Sequence, residues 1–254
     1  MEYIKTEEEN LFLKVILNRP EKRNAFHPQM IQEITEVFNG ASKNEEIKGI
    51  LLYGEGSSFC AGADLSWMKS MVDYSLEENR EDSKKLHNMF AAIESCPLPV
   101  LCKAHGHVMG GALGLLAACD IVAVEEKTKF AFSEVQLGLV PAVISPFVLK
   151  KMSAAKAREF MITGERFDAS EAIYSNLVHF SGDEDEVNEF LVKKMGWIQK
   201  AEQKAIAATK NLLDQLIIEK QPEQVKEITT KLIAERRVSD EAQARLRWFL
   251  DANK

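Results

Sequence analysis

Two stretches of the chain, Phe59-Cys60-Ala61-Gly62-Ala63-Asp64-Leu65 and Gly106-His107-Val108-Met109-Gly110-Gly111-Ala112, place small residues at turns that lead into helices. Residues without bulky side chains let another molecule come close to the main chain. The free NH groups of a helix's first turn also favour negative charge. One amide from each stretch, aimed at the same atom, makes an oxyanion hole. Further along, Phe130-Ala131-Phe132-Ser133-Glu134-Val135-Gln136-Leu137-Gly138 puts a carboxylate just past an apolar, strand-like run. Glu134 is therefore the candidate base. A carboxyl group serves in this role when its pKa lies near working pH, which apolar neighbours arrange.

These residues need a rigid frame, and the hydrophobic pattern supplies one. Leu11 to Leu17 predicts a buried strand that stops at Asn18-Arg19-Pro20, and Met30, Ile31, Ile34, Val37 and Phe38 then follow the spacing of an amphipathic helix. Gly49 to Tyr53 and Leu98 to Ala104 predict further strands. Gly111 to Ala118 predicts a fully buried helix that hands over at Cys119-Asp120 to a strand at Ile121 to Val124. Strands alternating with helices imply an α/β core. After about Asp185 the pattern becomes helical, at Val187 to Gln199, Lys204 to Glu219, Pro222 to Arg237 and Ser239 to Leu250. The reading is a core over 1–185 and a helical region over 186–254. The apolar stripe of Val225, Ile228, Leu232 and Ile233, with Leu246, Phe249 and Leu250, packs either on the parent core or on a neighbouring subunit. Trp67 to Asn88 mixes Trp67, Met68 and Met71 with a charged run. It fits either a mobile lid over a pocket or a helix with a solvated face.

Composition narrows the functions. With 32 basic and 39 acidic residues the formal charge is −7, and no basic block offers a nucleic-acid surface. The start has no apolar signal region and no apolar run approaches the ~20 residues of a membrane span, so a cytoplasmic protein without membrane partners is expected. Cys60, Cys96, Cys102 and Cys119 lie far apart and the five histidines do not cluster, so no metal site is expected and the thiols read as buried and free. Asp120 reads as a structural hydrogen-bonding residue. His105 and His107 have no Ser or Cys nucleophile in a recognisable setting, and packing or pocket lining is expected of them.

Five blocks of the chain resemble the enoyl-CoA hydratase/isomerase (crotonase) superfamily, in order and at ordinary spacing: Leu17 to Phe26, Phe59 to Leu65, Gly106 to Ile121, Phe130 to Pro141 and Ala157 to Phe167. The resemblance implies a crotonase-like α/β fold, a spiral of β-β-α repeats with a C-terminal helical trimerisation region. It implies trimers or dimers of trimers acting on acyl-CoA thioesters, with no cofactor beyond the CoA of the substrate. Carried over, the amides of Ala63 and Gly111 match the oxyanion hole and Glu134 the catalytic glutamate. Ala61, Ala63, Asp64 and Leu65 match the border of the CoA adenine and pantetheine, and Arg23 and Ala25 the segment at the nucleotide end. Many hydratases carry a second glutamate three residues after the oxyanion glycine; here that position is Gly114, whose missing side chain is expected to leave a gap for ordered water or a branched or carboxylated acyl group. Pro141 to Val148 departs from the glycine-rich run of many relatives. With Gly62 to Met68 it is most like the methylglutaconyl-CoA hydratase-like branch. Hydration by a single carboxylate is the expected activity, and double-bond isomerisation by the same carboxylate is its rival. An RNA-binding role would need a lysine-rich helix, whereas Gln32-Glu33-Ile34-Thr35-Glu36 is acidic.

Overall fold

The computed structural model describes residues 1–241 and 244, apart from 42, 45, 219 and 220, and divides into two compact units, Met1–Gln199 and Lys200–Lys254. The first unit opens with a hairpin of β1 (Ile4–Glu9) and β2 (Phe12–Leu17), whose register pairs Ile4 with Leu17 and Glu9 with Phe12. Its two-residue turn puts Asn10 and Leu11 at φ 50° and 66°, the left-handed geometry that matches strand twist in a tight hairpin. There follow α1 (Pro28–Ala41), β3 (Gly49–Gly54), α2 (Leu65–Met71), α3 (Leu76–Glu94), β4 (Val100–Ala104), β5 (His107–Met109), α4 (Ala112–Ala118), β6 (Ile121–Glu125) and β7 (Lys129–Ala131). The unit ends with α5 (Ser145–Val148), α6 (Ala154–Thr163), β8 (Arg166–Asp168), α7 (Ala169–Tyr174), β9 (Phe180–Gly182) and α8 (Glu184–Lys200).

Six strands form one sheet in the order β1-β2-β3-β4-β6-β9, antiparallel at β1-β2 and parallel from there on. Parallel strands are covered on both faces and need continuous apolar runs. Accordingly Ile50, Leu52, Val100, Leu101, Cys102 and Val122 to Val124 are all buried. A second sheet, β5-β7-β8, stands apart. Helix α1 buries the five residues whose spacing predicted it: Met30, Ile31, Ile34, Val37 and Phe38.

Three features refine the sequence reading. Strand β1 carries Glu7, Glu8 and Glu9 and buries only Ile4; it is a charged edge strand without an apolar signature. The core unit reaches Gln199 rather than 185, because Val187 and Leu191 of α8 are buried against Phe12, Leu101 and Ala123. Trp67 to Asn88 lies largely in two helices, the helical one of the two alternatives. Asp64 caps α2, and Ser75 with Glu78 forms a capping box at the start of α3. The second unit holds α9 (Gln203–Ile218) and α10 (Pro222–Val238). Most of the segment expected to be helical at Ser239 to Leu250, with Leu246, Phe249 and Leu250, lies outside the described residues.

Glu33 ties the first strand to α1. Its carboxylate accepts the amides of Glu2, Tyr3 and Ile4 at 3.1, 2.8 and 3.1 Å. Burial pushes its pKa up, but those amides and Gln29 outweigh burial and hold it below the usual glutamate range. A depressed folded-state pKa contributes stability that is present above the unfolded value and is lost as pH falls through the folded one. Glu33→Ala should therefore cost about 2 kcal/mol or more at neutral pH, as expected for charged hydrogen bonds left unmade. Thermal melts at descending pH should show the gap to wild type closing below the usual carboxylate range.

Candidate active site

Three glycines lie around the first turn of α4, each beside a different neighbour. Gly110, at φ 52°, has Glu134 Oε1 and Ser133 Oγ at 3.5 and 3.7 Å from where a Cβ would stand. Gly111 is met by Phe26, whose Cζ would be 2.7 Å from a Cβ there. Gly114 is met by Ile144 Cγ2 at 2.6 Å and Phe90 Cζ at 2.7 Å. Real Cβ atoms do not survive contacts under 3 Å, so Gly111 and Gly114 must lack a side chain for these walls to close as they do.

Phe26 joins the two small-residue stretches. Its NH donates to Gly62 O and its carbonyl accepts the Asp64 NH, both at 2.9 Å, in a parallel bridge with Ala63. That pairing uses the residues flanking Ala63 and leaves the Ala63 NH facing away from Phe26. A second bridge, Cys60 with Val108, lays the same loop along β5 through Cys60 NH to His107 O (3.1 Å) and Met109 NH to Cys60 O (3.2 Å). The ring of Phe26 meanwhile lies under Gly111. Among the described residues, neither the Ala63 nor the Gly111 amide donates a hydrogen bond within the chain. Both amides are thus unused within the chain, Ala63 just before α2 and Gly111 at the start of α4.

The segment that carries Phe26 is held by residues without a catalytic signature in the sequence. Asn24 is fully buried; its Oδ1 accepts the Arg19 NH at 2.8 Å, and its Nδ2 donates to Glu55 O at 2.8 Å and Ser58 O at 2.9 Å. Arg23 and Asn24 are both left-handed, at φ 50° and 54°, a conformation Asn tolerates better than most residues. Arg19 bonds Ala25 O at 3.0 Å and pairs with Asp64 at 2.7 Å. Asp64 also accepts the amides of Ser66 and Trp67 at the start of α2. Burial acts to raise the Asp64 pKa, yet those two amides and the Arg19 guanidinium bring it below the ordinary aspartate range.

Glu134 begins a single 3-10 turn, Glu134–Leu137, after β7, and Gln136 anchors that turn by donating to Gly164 O at 2.8 Å. The side chain is half-buried, and its Oε2 is buried without a hydrogen-bond partner among the described residues. Burial raises its pKa, only partly offset by its own backbone amide. A carboxyl group in such surroundings holds and releases a proton closer to neutrality.

The structure thus brings Ala63, Gly111 and Glu134 around one helical turn. Gly114 is different from expectation: its missing side chain leaves no gap, because Phe90 and Ile144 fill the volume with apolar atoms. Asp64 is committed to the α2 cap and Arg19. Of the other residues carried over for CoA, Leu65 and Arg23 are exposed, Ala61 is part-buried and donates its NH to Arg23 O at 2.9 Å, and Ala25 is buried. His107 Nδ1 lies 3.2 Å from Ser58 Oγ and His105 donates to Gly56 O at 2.8 Å, so both brace the loop after β3. Asp120 accepts the Val100 NH at 2.7 Å, a structural role as expected. All four cysteines are free and buried, and burial pushes the Cys60 thiol up to about 12. A groove of about 490 Å³ lies among Lys129, Lys156, Glu159, Arg166 and Glu171, away from these residues, and Lys156 is spent on ion pairs to Glu159 (3.1 Å) and Glu171 (3.0 Å).

Asn24→Ala orphans the three groups that the amide satisfies. It should lower stability by about 2–3 kcal/mol, the scale for buried polar groups left unpaired. Chemical denaturation checks the effect. A full-stability variant would show that Asn24 does not hold the segment.

A family model described as Enoyl-CoA hydratase/isomerase matches residues 7–254. The chain is 32% identical over 154 residues to an enoyl-CoA hydratase of Alternaria alternata, covering 61% of this chain and 50% of that protein. It is 32% identical over 179 residues to the mitochondrial Delta(3,5)-Delta(2,4)-dienoyl-CoA isomerase of Mus musculus, covering 65% and 54%. The chain spans about half the length of these curated relatives. The crystal structure of an enoyl-CoA hydratase from Shewanella pealeana superposes with a TM-score of 0.95 at 33% identity, over 98% of this chain and 94% of that one. The fold is the crotonase-like α/β fold that the five sequence blocks imply, and the chain belongs to the enoyl-CoA hydratase/isomerase family.

Proposed function

We propose that the protein hydrates the double bond of a 2-enoyl-CoA thioester with Glu134 as its one catalytic carboxylate. The observation that carries this reading is Glu134 itself: a carboxylate beside Gly110, with one buried oxygen unpartnered and a pKa raised by burial. In the proposed sequence, the thioester oxygen accepts the Ala63 and Gly111 amides. Glu134 takes a proton from a water whose oxygen bonds to the β-carbon, and the π electrons move onto the thioester oxygen as an enolate. Collapse of the enolate draws the proton from Glu134 to the α-carbon, so that H and OH have been added and the enzyme is unchanged. Losing one oxyanion donor typically costs ~3 kcal/mol of transition-state stabilisation. CoA arrives with the substrate, its nucleotide end near Arg23 and Ala25 and its pantetheine along Ala61 to Leu65. The exposed Leu213, Ile217 and Ile233 of the second unit suit burial between copies in a trimer or dimer of trimers.

Isomerisation by the same carboxylate is a second reading, and the packing at Gly114 favours it. A reactive water needs two to four polar partners, whereas Phe90 and Ile144 offer none at that position. The two readings part in heavy-oxygen water. A 2-enoyl ester should yield 3-hydroxyacyl-CoA carrying the solvent oxygen; conversion of 3-enoyl to 2-enoyl esters without any hydration would make the isomerase reading the better one.

Glu134→Gln should lower turnover at least ~100-fold, as expected for a lost general acid/base, while CoA affinity holds. Wild-type kcat/KM should fall on the acid side through a pKa above the usual glutamate range, since the base must be ionised. A carboxyl whose folded pKa is raised costs stability at any pH where it is ionised in the fold. Glu134→Gln should therefore melt no lower than wild type at pH 8, and any gain should vanish at pH 4.

A further inference from the structure

We infer that Phe90 and Ile144 determine which acyl group this site accepts, restricting it to short, unbranched chains; the inference rests on the acyl-CoA reading above. Gly111, the N-cap of α4, and Gly114 within it are three residues apart in helical backbone, hence on one face and about 4.5 Å apart along the axis. If the thioester oxygen sits on the Gly111 amide and Glu134 reaches the α-carbon beside Gly110, the acyl tail continues past the next turn, where Gly114 lies. The volume there is taken. Phe90 Cζ and Cε1 would stand 2.7 and 2.9 Å from a Cβ on Gly114, and Ile144 Cγ2 2.6 Å.

These two side chains come from distant parts of the chain, Phe90 from α3 and Ile144 from the residue before α5. Neither has room to swing away. Phe90 is fully buried, and Phe147 packs edge-on against it with ring centroids 5.5 Å apart; interiors at that density resist displacement. The wall is apolar on both sides, so a second carboxyl group carried at this distance would lose its hydration without gaining a partner. Glycine at 114 therefore does not widen the site. It lets an aromatic ring from α3 close it.

The test uses saturated acyl-CoA esters, which bind without reacting, on the full-length protein. Calorimetry gives the dissociation constants of butanoyl-, 3-methylbutanoyl- and octanoyl-CoA for wild type, Phe90→Ala and Ile144→Ala. Wild type should bind butanoyl-CoA more tightly than the branched ester. In at least one variant the affinity for octanoyl- or 3-methylbutanoyl-CoA relative to butanoyl-CoA should rise at least ~10-fold, the scale at which pockets discriminate small apolar groups. Both ratios staying within twofold of wild type in both variants would overturn the inference, as would equal wild-type affinity for branched and straight esters. A readout independent of ligand covers poor folding of the alanine variants. Gly114→Ala should lower Tm, and Phe90→Leu added to it should restore part of the loss; a Gly114→Ala protein as stable as wild type would also overturn the wall. Turnover of 2-butenoyl-CoA by wild type separates the two readings: no turnover with shifted ratios removes the proposed reaction and keeps the wall, and turnover with unmoved ratios does the reverse.

Discussion

The site depends on close approach to one turn of helix, which only residues without side chains allow. Around the start of α4, Gly111 admits Phe26 and Gly114 admits Phe90 with Ile144, while Glu134 lies at ordinary contact distance from Gly110. Each contact has its own consequence. Glu134 lies beside Gly110 with one buried oxygen unpartnered, Phe26 brings the Ala63 loop alongside, and the Phe90 ring packs over Gly114. A methyl group at Gly111 or Gly114 would push its neighbour back, since the nearest atoms stand at 2.7 and 2.6 Å. The unused Ala63 amide and the raised pKa of Glu134 are both products of this packing: one of strand-like pairing with Phe26, the other of burial.

The frame behind Phe26 is polar and fully bonded. Asn24 satisfies three main-chain groups from inside the protein, and Arg19 joins Ala25 O to Asp64. Such buried groups contribute little net stability when paired and cost heavily when orphaned, so they act to fix one arrangement of the loop. Asp64 shows this most directly. It follows Ala63 in the chain, and its carboxylate caps α2 and holds Arg19.

Much of this was legible in the residues. Runs such as Gly49 to Tyr53 and the spacing of Met30 to Phe38 carry the periodicities of buried strand and amphipathic helix, and both elements form where expected. Short strands of three residues, β8 and β9, are too brief for periodicity to register, and β1 is polar because it lies at an edge. Small-residue stretches and Glu134 signalled chemistry because glycine and carboxylate types are restrictive. Asn24 and Arg19 gave no such signal; their role comes from partners at Glu55, Ser58 and Asp64, which only the folded chain brings near. Gly114 was misread for a related reason. A glycine announces that a side chain is absent, not what fills the space, and Phe90 comes from 24 residues away in the sequence.

A crystal structure of the protein with butanoyl-CoA tests the central claim most directly, because it locates the thioester relative to the first turn of α4. The account predicts the carbonyl oxygen about 3 Å from both the Ala63 and Gly111 nitrogens, the spacing of an oxyanion hole, with the Glu134 carboxylate facing the α-carbon. A thioester bound with its carbonyl away from either amide, or with Glu134 on the far side of the acyl chain, would contradict it.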